Sequence, residues 1–91
     1  MATIDTVLIL KNTIGLHARP ASQFVQTAAR FKSMIQVECN GRRADAKRIL
    51  QVLQLGAEYG AELHVHAEGD DATEAVAALG ELVDTRFGEA A

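Results

Sequence analysis

Hydrophobicity changes period several times within these 91 residues, and that alternation limits the folds open to the chain. Ile35, Val37 and Cys39 alternate with Gln36, Glu38 and Asn40, and Leu63, Val65 and Ala67 alternate with Glu62, His64, His66 and Glu68. A period of two is that of a strand with one buried face. Thr6-Val7-Leu8-Ile9-Leu10 is a β-branched and aliphatic run too short for a helix, so it reads as another strand. Asn40-Gly41 is a hairpin turn signal, with Arg42 to Asp45 as the returning strand. Between these segments the period lengthens. Ala21, Phe24, Val25, Ala28 and Phe31 share one helical face, and Pro20 suits the first turn, where its missing N–H is no loss. Lys47 to Leu55 reads as a short helix ended by Gly56. The last element places Ala72, Ala75, Val76, Leu79, Leu82, Val83 and Phe87 on one face, with Asp70, Asp71 and Glu74 at its positive end and Arg86 at its negative end.

The predicted order is β-α-β-β-α-β-α. A single helical layer over one face of a mostly antiparallel sheet satisfies both periodicities, which makes the chain α+β. The length leaves room for one core, so residues 1–91 are read as one domain. Size scaling lets such a domain bury roughly 64% of its surface, and 48% hydrophobic residues can fill that core. Phe24, Phe31 and Tyr59 are read as packing residues, Tyr59 partly exposed.

The net charge of −3 argues against a general polyanion-binding surface. Beneath the total lies an asymmetry. Residues 1–48 carry eight basic side chains against Asp5, Glu38 and Asp45, a balance of +5, while residues 49–91 set Arg86 alone against nine acids, a balance of −8. A basic half of this kind suits an anion or an acidic partner. The cluster of Arg42, Arg43, Lys47 and Arg48 is too short to argue for nucleic acid and reads as a solvated or docking rim. A lone Cys39 excludes an internal disulfide and a cysteine-based zinc site, and fits a small buried residue in a reducing compartment. His64 and His66 share a strand face, but zinc needs three or four ligands, so no metal site is expected and the pair is read as solvent-facing. The longest aliphatic run, Val7 to Leu10, is far short of a membrane span, and no signal-peptide pattern opens the chain. Cytoplasmic location without membrane insertion is expected.

The chemistry concentrates in Gly15-Leu16-His17-Ala18-Arg19-Pro20-Ala21, a histidine on the loop just before a helix. A helix start presents unpaired N–H groups and a positive dipole end, a prepared anion site to which Arg19 adds a fork of donors. The same field favours a neutral, nucleophilic imidazole. A phosphoryl group accepted on that ring would bring a charge of about −1.5 to −2 into this cradle. From residue chemistry alone, a histidine that merely caps the helix remains an equal reading. A second feature is the short helix. Ile49, Leu50, Val52, Leu53 and Leu55 sweep an arc of roughly 220°, about twice the stripe needed for core contact. Val52 and Leu55 are therefore expected to face inward, leaving Ile49, Leu50 and Leu53 as an exposed apolar patch rimmed by Lys47, Arg48, Gln51 and Gln54.

The histidine segment resembles the active-site signature of the HPr family, the histidine-containing phosphocarriers of the bacterial phosphoenolpyruvate-dependent phosphotransferase system. The resemblance continues through Val25-Gln26-Thr27-Ala28, the Asn40-Gly41 turn and the stretch from Ala46 to Gly56. It implies an open-faced two-layer sandwich, with a four-stranded antiparallel sheet and three helices on one face. It also implies a relay in which Enzyme I phosphorylates His17 on Nδ1 and the group passes to an enzyme IIA in carbohydrate uptake, without a cofactor. Ala18 and Arg19 would hold the phosphoryl group. Lys47, Ile49, Leu50 and Leu53 match the family's docking surface, and Leu16, Ser22 and Arg48 are expected to extend it on a monomer. Many relatives carry a regulatory serine where Arg48 stands, and an arginine cannot be phosphorylated by a serine kinase, so control through that position is not expected. A cation in a first helical turn opposes the dipole by roughly 0.3 to 1 kcal/mol, so a partner contact is expected to account for it. A nitrogen-related regulatory carrier and an interaction module that is never phosphorylated remain the competing functions.

Overall fold

The computed structural model describes residues 2–89. Each alternating segment forms a strand and each helical-period segment a helix: β1 Ala2–Ile9, α1 Ala18–Ala29, β2 Met34–Cys39, β3 Arg42–Asp45, α2 Ile49–Gln54, β4 Glu62–Gly69 and α3 Ala72–Asp84. The order in the sheet is β1-β4-β2-β3, with every neighbouring pair antiparallel. β4 therefore lies between β1 and β2, which run parallel and are linked by the α1 crossover. The inward faces of the strands, Ile35, Val37, Cys39, Leu63, Val65 and Ala67, are buried under the helical layer with Phe24, Ala28, Leu79 and Val83. Burial of a large apolar side chain such as Phe24 contributes about 1.5 to 3 kcal/mol, and Phe24 is fully inaccessible.

Three boundaries differ from the sequence reading. β1 runs from Ala2 rather than from Thr6, alternating half-buried Ile4, Thr6 and Leu8 with exposed Thr3, Asp5, Val7 and Ile9. Charged Asp5 fits inside this strand because it points off the open face of the sheet. Leu10 leaves the strand and enters the core. α2 is shorter than expected, with Arg48 and Leu55 as its caps and Gly56 following in a left-handed conformation, φ 63°. α3 stops at Asp84: Arg86 and Phe87 turn left-handed at φ 57° and 55° instead of continuing the helix. Phe87 is buried all the same, delivered by the turn rather than by the helical face. Tyr59, read as a partly exposed packing residue, is 70% exposed, whereas Phe31 is half-buried beneath the Arg30 guanidinium, 5.5 Å from its ring centre.

Asp71 stands at the start of α3 but spends its carboxylate elsewhere. It accepts the N–H groups of Lys32 and Ser33 at 2.8 and 2.9 Å and the Ser33 hydroxyl at 2.5 Å, tying α3 to the loop between α1 and β2. These donors, the Ser33 hydroxyl foremost, hold its pKa below the ordinary 3.8. A depressed carboxylate pKa gives stability that is fully present above the unfolded value and is lost as pH falls through the folded one. Asp71→Ala is therefore expected to lower Tm at neutral pH, with the gap to the parent protein closing well below pH 3.8. Thermal melts at the two pH values check this; a gap that persists in acid would assign the loss to packing instead.

Candidate functional site

His17 occupies the position just before α1, with extended backbone at φ −82° and ψ −171°. Its carbonyl accepts the first helical hydrogen bond, from the Ala21 N–H at 2.8 Å, while its ring makes no cap bond and stays exposed. Helix geometry leaves the N–H groups of Ala18 and Arg19 without an intrahelical acceptor. Pro20, third in the helix, has no N–H, so the free donors are concentrated next to the imidazole. The Arg19 side chain is exposed on the same turn.

The loop that presents His17 is anchored from beneath. Asn12, fully buried, donates from Nδ2 to the Gly15 carbonyl at 2.7 Å, and the Gly15 N–H returns to the Asn12 carbonyl at 3.3 Å. The Leu16 N–H donates to the Ala57 carbonyl at 2.9 Å, and the Gly60 N–H to that of Leu10 at 2.9 Å, so the segments 10–16 and 57–61 are stitched together. Leu16 itself is 3% exposed and belongs to the core. The expectation that it joins a docking face is corrected: the loop needs an apolar anchor on one side to hold His17 outward on the other. Asn12 escaped the sequence reading, although an asparagine three residues before a glycine is a recognisable local turn signal.

α2 packs beside α1. Val52 and Leu55 face inward at 0% and 2% exposure, while Leu50 is 70% exposed and Ile49 and Leu53 more than a third, as the wide apolar arc required. Lys47 is half-buried, with Nζ donating to the Phe31 carbonyl at 2.7 Å, so part of its charge serves the end of α1. Arg48 pairs with Asp45 at 3.6 Å. That internal carboxylate offsets a cation at the helix start, a nearer account of Arg48 than the partner contact expected from the sequence. Ser22 is half-buried and accepts a hydrogen bond from Gln26 Nε2 at 3.2 Å.

The other two histidines lie on the open face of the sheet amid carboxylates. His66 Nδ1 lies 2.6 Å from Asp5 and Nε2 3.5 Å from Glu68, while His64 is 3.6 Å from Glu62. The Asp5 contact is the main reason that the His66 pKa is raised. No helix among the described residues is long and apolar enough to cross a membrane.

The fold and this site define a class, the small two-layer α+β domains with an exposed histidine at a helix start. The sequence matches the family described as PTS HPr component phosphorylation site over residues 4–85, and the chain belongs to that HPr family of the phosphotransferase system. It is 41% identical over 85 residues to the phosphocarrier protein HPr of Cupriavidus necator, covering 93% of each chain. Its structure is similar to that of HPr-C-His from Thermoanaerobacter tengcongensis, with a TM-score of 0.93, 43% identity and coverage of 97% of this chain and 99% of that one. A structure described as an HPr dimer from the same organism matches with a TM-score of 0.77 and 48% identity, over 88% of this chain and 92% of that one. The four-stranded antiparallel sheet with three helices in an open-faced sandwich, expected from the resemblance, is the fold observed.

Proposed function

We propose that this protein accepts a phosphoryl group from phospho-Enzyme I on Nδ1 of His17 and passes it to an enzyme IIA of a carbohydrate uptake system in the cytoplasm. One observation carries the reading: among the three histidines, only His17 combines an exposed ring with free helix-start donors and a neighbouring guanidinium. The Nδ1 lone pair attacks phosphorus as the bond to the donor group on Enzyme I breaks, and the sequence reverses towards enzyme IIA. The N–H groups of Ala18 and Arg19 and the Arg19 side chain receive the charge that arrives. Phosphorus passes between two proteins without release to water, so the partners must enclose an exposed histidine. A small carrier acting as a monomer meets that demand, and sedimentation of the free protein tests the monomer against the dimer described for the Thermoanaerobacter relative.

The test is incubation with labelled phosphoenolpyruvate and Enzyme I, followed by mapping of an acid-labile, alkali-stable label to His17 by NMR. An unlabelled protein would defeat the carrier reading and leave an interaction module.

Docking is assigned to Ile49, Leu50 and Leu53 with Lys47, Arg48 and Ser22 around them. Leu50→Asp is expected to reduce kcat/KM with both Enzyme I and enzyme IIA by about tenfold or more, because an interface leucine is worth roughly 1.5 to 3 kcal/mol and a carboxylate must also be desolvated. Tm should hold, since Leu50 is 70% exposed in the free protein. Transfer kinetics alongside melting separate the two effects, and unchanged kinetics would remove α2 from the interface.

A further inference from the structure

The family resemblance supplies one side-chain cation for a phosphoryl group on His17. The structure brings a second arginine, Arg86, into a cleft that is also lined by Arg19, two residues beyond His17. Beyond α3, Arg86, Phe87 and Gly88 adopt left-handed conformations in succession, at φ 57°, 55° and 77°. Two consecutive residues with Cβ atoms in this region are unfavourable and persist where the surroundings hold them. The fixing contacts are visible. Phe87 is 5% exposed in the core, the Gly88 N–H reaches the Thr85 carbonyl at 3.0 Å and the Glu89 N–H that of Arg86 at 2.8 Å. Glu89 then accepts the Thr13 N–H at 2.9 Å, fastening the end of the described chain onto the loop that carries His17.

The turn that buries Phe87 leaves Arg86 exposed beside the first turn of α1. There a cleft of about 110 Å³ has Ile14, Arg19, Pro20 and Gln23 on one side and Arg86 and Glu89 on the other. Its charged residues are thus two arginines and one glutamate, and one oxygen of that carboxylate is engaged by Thr13. The Thr13 contact, with a smaller contribution from Arg86, holds the Glu89 pKa below its usual value, so the carboxylate is ionised at neutral pH. A bound phosphoryl group carries about −1.5 to −2, more than Arg19 alone can balance. Planar guanidiniums bind phosphate oxygens through paired N–H donors, and two approaching from different segments of the chain would fix the group's orientation as well as its charge.

Building on the assignment of His17 as acceptor, we propose that Arg86 is a second phosphoryl-binding residue, which acts with Arg19 across this cleft to hold the group on His17. The test compares the intact protein with Arg86→Gln and Arg86→Lys, phosphorylated by phosphoenolpyruvate and Enzyme I. ³¹P NMR follows the phosphorylation equilibrium and the hydrolysis of the phosphohistidine, and steady-state kinetics give KM and kcat. Arg86→Gln is expected to shift the equilibrium away from the phosphorylated carrier by roughly 3- to 10-fold, the range for losing one exposed charge-assisted contact. Arg86→Lys should recover most of that shift, because the cation remains, while KM for Enzyme I stays within about 2-fold in both variants. An unchanged equilibrium on a parent protein labelled at His17 would overturn the proposal alone. A change confined to KM would make Arg86 a partner contact, and equal losses in both variants with a lowered Tm would make the tail a structural prop. Either result also overturns it. A parent protein that takes no label on His17 would remove the carrier reading itself, and this inference with it.

Discussion

His17→Ala is expected to reduce acid-labile, alkali-stable labelling to background, whereas His64→Ala and His66→Ala should each retain it within about 2-fold, the ordinary effect of a surface change. All three are histidines with solvent access, so residue type alone does not separate them. Their electrostatic settings do. A transferring phosphoryl group needs positive charge where it lands. His17 has the free N–H groups of Ala18 and Arg19, the positive end of a twelve-residue helix and the Arg19 side chain. His66 faces Asp5 at 2.6 Å and Glu68 at 3.5 Å, and His64 faces Glu62 at 3.6 Å. Carboxylates at those distances would repel an incoming phosphoryl group, and Asp5 also favours the protonated imidazolium of His66, which lacks a free lone pair. Labelled phosphoenolpyruvate with Enzyme I reads the outcome directly. Label retained by His17→Ala, or lost from His66→Ala while its fold is intact, would move the acceptor to the sheet.

The same physics decides how much was legible in the sequence. The inward faces of β2, β4 and α2 could be read because period alone sets which side chains share a face, and the 3.6-residue repeat leaves Leu50 no place in the core. The histidine segment was legible because its parts are consecutive: a helix start, its free donors and Arg19 lie within a few residues. Features that depend on distant segments were not. Leu16 looked like part of the surface beside His17 until its contact with Ala57 placed it in the core. The early start of β1 was masked by Asp5, whose charge argues against a strand unless the open face of the sheet is known. Phe87 continues the apolar repeat of α3, and nothing in its identity announces a left-handed turn. Arg86 reaches the cleft of Arg19 only through that turn, so no spacing rule could have joined them.

Gly15→Ala is expected to be strongly damaging, because it removes both stability and the presentation of His17. Gly15 is buried with φ 68°. An added Cβ would lie 2.5 Å from both the Ala57 carbonyl oxygen and Glu58 Cα, and 3.0 Å from the Glu58 carbonyl carbon. These are backbone atoms, which have no rotamer to escape into. Left-handed strain on alanine costs about 1 to 2 kcal/mol, and parting two packed backbone segments raises the total to roughly 2 to 4 kcal/mol. That is a large fraction of the about 5 to 15 kcal/mol that holds a domain folded. Gly41→Ala provides the comparison: its φ of 76° is equally left-handed, but the space around it is open, so strain alone should act. Denaturant unfolding is expected to show the Gly15 variant losing about twice as much stability as the Gly41 variant, for which the strain of about 1 to 2 kcal/mol acts alone. Function should divide them further. Separation of segments 10–16 and 57–61 would stretch the Leu16 to Ala57 hydrogen bond and lift Leu16 from the core, and His17 is the next residue. Phosphorylation by Enzyme I, measured at a temperature where both variants are folded, should therefore slow for Gly15→Ala and stay near the parent rate for Gly41→Ala. Equal stability and equal rates in the two variants would mean that the loop tolerates a displaced neighbour, and that the position of His17 is set by α1 alone.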